Sequence, residues 1–89
     1  MSGFISNITY EGAITPTNSD TTADPHGPFA AIYVGVTGTV VVQTLRNQTA
    51  TFVGVPAGSV LRIACTRVWS TGTTATSLLG LQQMPYKGQ

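Results

Sequence analysis

The chain has 89 residues, four Lys and Arg against three Asp and Glu, a net charge of +1 and only 8% charged residues. Globular domains usually carry about a quarter, and no basic field exists here to hold nucleic acid through counterion release. One domain of this length has a thin core that association with other chains would help to stabilise, and so little charge fits a subunit covered by neighbours better than a free monomer.

Cys65 is the only cysteine, so no intrachain disulfide can form. With no basic neighbour to depress its pKa, it reads as a small buried hydrophobe in a strand. No apolar run approaches the roughly 20 residues needed to cross a bilayer. The N-terminus lacks the basic region and apolar core of a secretory signal, so the expectation is a soluble protein.

Residues 1–28 hold Pro16, Pro25 and Pro28 among many Thr, Ser and Asn residues. They read as an extended N-terminal arm, with one short strand near Ile8. Phe4, Ile5, Ile8 and Tyr10 are its apolar anchors. Such an arm is either disordered or ordered by lying on a neighbouring subunit, and the second is expected because these anchors would be wasted in solvent.

Residues 29–83 form the β core, and residues 84–89 a tail broken by Pro85. Ala30 to Val36 alternates, with Ile32, Val34 and Val36 on one face and Ala31, Tyr33 and Gly35 on the other. Thr37-Gly38 reads as a turn, and Thr39 to Leu45 as a strand apolar on both faces at its centre; the pair is expected to be a hairpin. After the polar break Arg46-Asn47-Gln48 comes a third strand, Thr49 to Val53.

The stretch Gly54-Val55-Pro56-Ala57-Gly58 has turn chemistry and is expected to fold that strand back onto a long one, Ser59 to Val68, as a second hairpin. Leu61, Ile63 and Cys65 share one face of the long strand. Arg67 falls in line with them, which predicts a bulge or an exit from the core. Ser70 to Thr74 is a loop and Ala75 to Gln82 the last strand. No segment has a helical period or capping box. The fold class is all-β, a small antiparallel β-sandwich or barrel of about five to seven strands with an extended N-terminal arm.

Candidates for chemistry are few. His26, the only histidine, stands near Asp24 in Asp24-Pro25-His26-Gly27-Pro28, and one His and one Asp do not make a metal site. Nothing places Ser19, Ser59 or Cys65 beside His26 as a nucleophile. Asp20 and Asp24 lie in the arm and Glu11 is alone, so no carboxylate pair is in view. No catalytic, cofactor-binding or metal-binding residue is assigned. Gly35, Gly38, Gly54, Pro56, Gly58 and Gly72 read as turn and fold positions. Arg62 and Arg67 read as solvated or paired between strands. Phe4, Ile8, Tyr10, Tyr33 and Trp69 are candidates for a subunit interface, aromatic residues being enriched at interface centres.

Several motifs in order carry a resemblance: Ala31-Ile32-Tyr33-Val34-Gly35-Val36-Thr37-Gly38 before a Val-rich strand, then Thr51 to Leu61, then Arg67-Val68-Trp69-Ser70-Thr71-Gly72-Thr73-Thr74-Ala75-Thr76. With Ile14-Thr15-Pro16 and Asp20-Thr21-Thr22 upstream, residues 12–82 resemble the small head spike base proteins of tailed bacteriophages and gene transfer agents. The resemblance implies a structural virion protein on the capsid surface, assembled in the bacterial host's cytoplasm. Its implied partners are its own copies, as a pentamer at capsid vertices, the major capsid protein, and a spike or fibre protein for host contact. It implies no enzyme, cofactor, nucleic acid or membrane. The segment Phe4 to Tyr10 and the end Met84 to Gln89 depart from the family pattern. Two alternatives stay open: a tail or neck structural protein, and a small carbohydrate-binding β-module stacking sugars on Trp69, Tyr33 and Tyr86.

Overall fold

The computed structural model describes residue 10 and residues 12–82. They form seven strands and no helix: β1 (Gly12–Ile14), β2 (Ala31–Val36), β3 (Gly38–Thr44), β4 (Thr49–Val55), β5 (Ser59–Leu61), β6 (Cys65–Val68) and β7 (Thr76–Gln82). The strands make two antiparallel sheets, ordered β1-β7-β2-β5 and β4-β3-β6. Of the two architectures expected, sandwich or barrel, the chain takes the sandwich.

Inward residues of both sheets fill the space between them. Ile32 and Val34 from β2, Val40 and Val42 from β3, Cys65 and Val68 from β6, and Phe29 are essentially inaccessible. Each buried aliphatic or aromatic side chain contributes about 1.5–3 kcal/mol, which makes this cluster the main driving force for the fold. β3 is the strand read as apolar on both faces, and Val40, Val41 and Val42 are all buried. Its outward residue Val41 is covered because residues 69–75 run beside the strand: Trp69 N–H donates to Val41 O, Thr73 Oγ1 accepts from Val41 N–H, and Thr74 and Ala75 both donate to Thr39 O.

Both expected hairpins are corrected. β2 and β3 follow each other but lie in different sheets, with the chain crossing at Thr37. Gly38 makes the crossing possible, since a Cβ there would stand 2.4 Å from the Ala75 nitrogen. β4 and β5 are likewise in different sheets: β4 pairs with β3 (Val41 opposite Thr51) and β5 with β2 (Tyr33 opposite Val60). Pro56 to Gly58 therefore bridges the layers, with Gly58 at φ +87° and its N–H donated to Val34 O.

Gly54, placed in the turn by the sequence, is a bulge residue inside β4. The register moves from Val40 opposite Phe52 to Gly38 opposite Val55, leaving one extra residue in β4. Gly54 takes it up at φ +65°, a left-handed conformation that glycine adopts without a Cβ penalty. The true hairpin joins β3 to β4 through the polar break, where Asn47 sits at φ 62° and the buried Thr44 accepts the N–H groups of Arg46 and Gln48 on its hydroxyl.

The single long strand expected over residues 59–68 divides at residues 62–64, its first part joining one sheet and its second the other. The bulge expected from Arg67 is present, at Thr66: Gln43 faces Arg67 and Thr44 faces Cys65, so Thr66 has no opposite residue. Cys65 and Val68, three residues apart, can then both point inward.

The anchors Phe4, Ile5 and Ile8, and the strand expected near Ile8, lie outside the described residues. From Gly12 the arm is held on its own chain. β1 pairs with β7, Ser19 and Asp24 donate to Val68 O and Thr66 O, Phe29 exchanges two hydrogen bonds with Cys65, and Ala30 donates to Leu81 O. The segment closes the outer edge of β6 and ties both sheets together along one side of the sandwich.

Candidate interaction surfaces

Asp24 holds the closed side in place. Its carboxylate is buried, accepting Thr17 N–H at 2.6 Å on Oδ2 and His26 N–H at 2.8 Å on Oδ1, with His26 Nδ1 3.2 Å away. Hydrogen bonds to a carboxylate are among the stronger ones available, so a group read as a loop acid is a structural anchor. Asp20 acts in the same way on the exterior, accepting from the N–H and hydroxyl of Thr71. The Thr71 hydroxyl and then its N–H lower the Asp20 pKa. These two acids tie the arm down on its own chain.

Cys65 is buried, and its thiol pKa is pushed up to about 11, chiefly by desolvation and secondarily by the charge of Asp24. A thiol in this state is a poor nucleophile. Among the described residues no three His, Cys, Asp or Glu side chains gather as metal ligands. Ser19 Oγ accepts the N–H groups of Thr21 and Thr22 in a local turn. Ser59 lies in β5, on the opposite sheet edge from the arm that carries His26.

Of the interface candidates within the described residues, Tyr10, Tyr33 and Trp69, the last two are not brought together. Tyr10 is half-buried. Tyr33 alternates with the buried Ile32 and Val34, so it stands on the outer face of the four-stranded sheet. Trp69 follows the inward Val68 of the other sheet, and the Arg67 guanidinium lies over its ring at 4.3 Å, a cation–π contact. Arg62 is exposed. Gly35 lies within β2, as its place in the Ala30 to Val36 alternation predicts, and a Cβ there would meet Ser77 O at 2.6 Å; Gly72 sits at φ +92° beside Val41.

Two surfaces remain. One is an open groove of about 710 Å³ on the outer face of the four-stranded sheet, where Tyr33, Gly35 and Leu79 form the floor and Thr15, Pro16 and Asn18 one wall. The other is the outer edge of β4, the last strand of its sheet. Thr49, Thr51 and Val53 are exposed there, Val53 at 80%. No side chain of β4 is charged.

Two features escaped the sequence reading. From the sequence Val53 reads only as a strand residue, whereas its exposure marks the β4 edge. Gly80 was not singled out, yet a Cβ there would stand 2.5 Å from the Phe29 ring. Its signal was available: an isolated Gly within Leu78-Leu79-Gly80-Leu81 marks a close approach inside a strand.

Seven strands in two sheets, cross-layer links of only a few residues and a side sealed by the arm define a small β-sandwich. No family model matches the sequence, and no curated protein matches it. Among solved structures, the chain is similar to one in the capsid of a native gene transfer agent particle computed with C5 symmetry: 32% identity, a TM-score of 0.73, and coverage of 83% of this chain and 84% of that one. At that identity and coverage the chain belongs to the same family as this capsid-associated virion protein.

Proposed function

We propose that the protein is a structural component of a phage-like particle, a head spike base or decoration protein that oligomerises at capsid vertices and anchors a spike or fibre for host contact. The carrying observation is the 32% identity over most of both chains to a protein in a gene transfer agent capsid computed with C5 symmetry. The low charge and bare strand edge agree with a subunit meant to be covered. The reading has the protein as a homo-pentamer on the capsid surface, bound to the major capsid protein and needing no enzymatic activity or cofactor.

Native mass spectrometry of the purified chain, alone and with isolated capsids, tests it. The expected result is a discrete pentamer that binds capsids. A monomer that ignores capsids would refute the proposal. A three-fold or six-fold assembly would move the protein to a tail or neck position. The carbohydrate-binding alternative has less support, because Tyr33 and Trp69 stand on different sheets and give no common stacking platform, while Tyr86 lies outside the described residues.

A further inference from the structure

The two sides of the sandwich are built differently. On one side residues 15–28 run from β1, the edge of one sheet, to β6, the edge of the other, and hydrogen-bond along β6. On the opposite side lie β5 and β4, joined only by Pro56 to Gly58. Among the described residues nothing pairs with the outer edge of β4. Natural sheets normally protect such an edge with charge, proline or a covering segment. β4 has neither charge nor proline, and its bulge at Gly54 leaves Thr49–Val53 as a regular five-residue template.

We propose that this template is filled by the N-terminal segment Phe4–Ile8 of a neighbouring copy, which adds as a strand to the three-stranded sheet. The inference rests on the oligomeric reading above and names the contact that would build it. Phe4, Ser6 and Ile8 alternate with Ile5 and Asn7 in the period of a strand, and residues 1–9 contain no charged side chain. With Phe4 and Ile8 facing inward, the added strand covers the half-buried Ala50 and Phe52, which already pack against the core. Main-chain hydrogen bonds supply affinity, and the alternating side chains supply register.

Geometry favours a neighbour over the chain's own edge. The segment leaves from β1, three interstrand spacings, or about 14 Å, from the β5 edge, so folding back requires it to cross a sheet face. Its nine residues reach about 30 Å when extended, enough to enter an adjacent subunit directly. One copy's β1 side meeting the next copy's β4 side is a heterologous contact, the kind that closes into a ring.

Three measurements on the full-length chain and a variant lacking residues 1–9 test this. Amide exchange at residues 50–53 is expected to be slowed in the full-length oligomer, with that protection and the oligomer both lost on truncation, while the β-type circular dichroism persists. In a Cys65→Ala background, mixing chains carrying Asn7→Cys with chains carrying Thr51→Cys, both on the outward face, is expected to give an interchain disulfide. A truncated chain that keeps both the oligomer and the protection overturns the proposal, as does a 50–53 edge that exchanges freely in the full-length oligomer. A protected edge in a monomer, with crosslinking only when both cysteines are in one chain, assigns the edge to the chain's own segment and also overturns it. An oligomer with a free edge removes this contact alone, whereas a chain monomeric at every concentration removes the oligomeric reading with it.

Discussion

Replacing Asp24 by Asn keeps the side chain's shape and removes its charge. The carboxylate accepts two backbone N–H groups on different oxygens, Thr17 N–H on Oδ2 and His26 N–H on Oδ1. An amide has one acceptor oxygen, so Asp24→Asn leaves an N–H facing an NH₂ group. A hydrogen bond to a charged acceptor is worth about 1.5–3 kcal/mol, and a stranded buried donor adds to its loss. Thr17 is exposed, so water can rejoin its N–H and the total should be about 2–3 kcal/mol. For a domain of this size, 1 kcal/mol shifts Tm by about 4–8 °C, which sets the expected fall at about 8–24 °C. The same substitution should raise amide exchange at Ser19 and Asp24, whose N–H groups bond to β6, before it affects the β3 centre. Urea unfolding read alongside residue-resolved exchange is the assay. A loss below about 0.5 kcal/mol, or exchange at Ser19 and Asp24 that keeps its wild-type rate, would refute the role of Asp24 as the arm's anchor.

Gly80→Ala should destabilise by about 1–3 kcal/mol, because the new methyl meets the Phe29 ring and the core resists overpacking; combining it with Phe29→Leu should restore part of that loss, and strictly additive losses in urea unfolding would reject the clash. Cys65 should bring alkaline sensitivity: burial lifts its folded pKa from an ordinary 9.0 to about 11, so the contribution is complete below pH 9 and disappears as pH rises from 9 through 11. Cys65→Ala should flatten the stability profile across that window, and an unchanged slope would show that another group causes it.

Strand positions were legible because alternation reports which face of a strand is buried. Ile32 and Val34 on one face, and three consecutive valines in β3, were read correctly. Strand partners were not legible, because alternation carries no information about which neighbour supplies the hydrogen bonds. Thr37-Gly38 and Pro56-Ala57-Gly58 have the chemistry of hairpin turns, and the same residues serve a chain that crosses between layers. What decides is tertiary packing: Gly38 lies against the backbone of residues 74 and 75, a contact 36 residues away in sequence that no local pattern announces. The bulge at Thr66 was readable because Arg67 broke the facing pattern, whereas the bulge in β4 was hidden, since Gly54 fitted an expected turn. Of the candidate surfaces, the aromatic residues were visible by type. The bare β4 edge became visible only when β4 proved to be the last strand of its sheet.

The closed and open sides explain why so few charges suffice. Asp20 and Asp24, two of the three acids, are both spent on holding residues 17–24 along one side, where their oxygens accept hydrogen bonds from Thr71 and Thr17. The bases are no better placed to protect the open side: Arg67 is stacked on Trp69, and neither it nor Arg46 or Arg62 belongs to β4. A monomer selected for solubility would put lysine on that edge at little cost to folding. Thr49, Thr51 and Val53 instead keep it flat, uncharged and accessible. An edge of this kind lowers the free energy of association by leaving strand hydrogen bonds to be made there, and the sealed β6 edge prevents the same pairing on the other side. That asymmetry gives a subunit a direction, which a closed ring of identical chains requires and a symmetric sandwich with two equivalent edges could not supply.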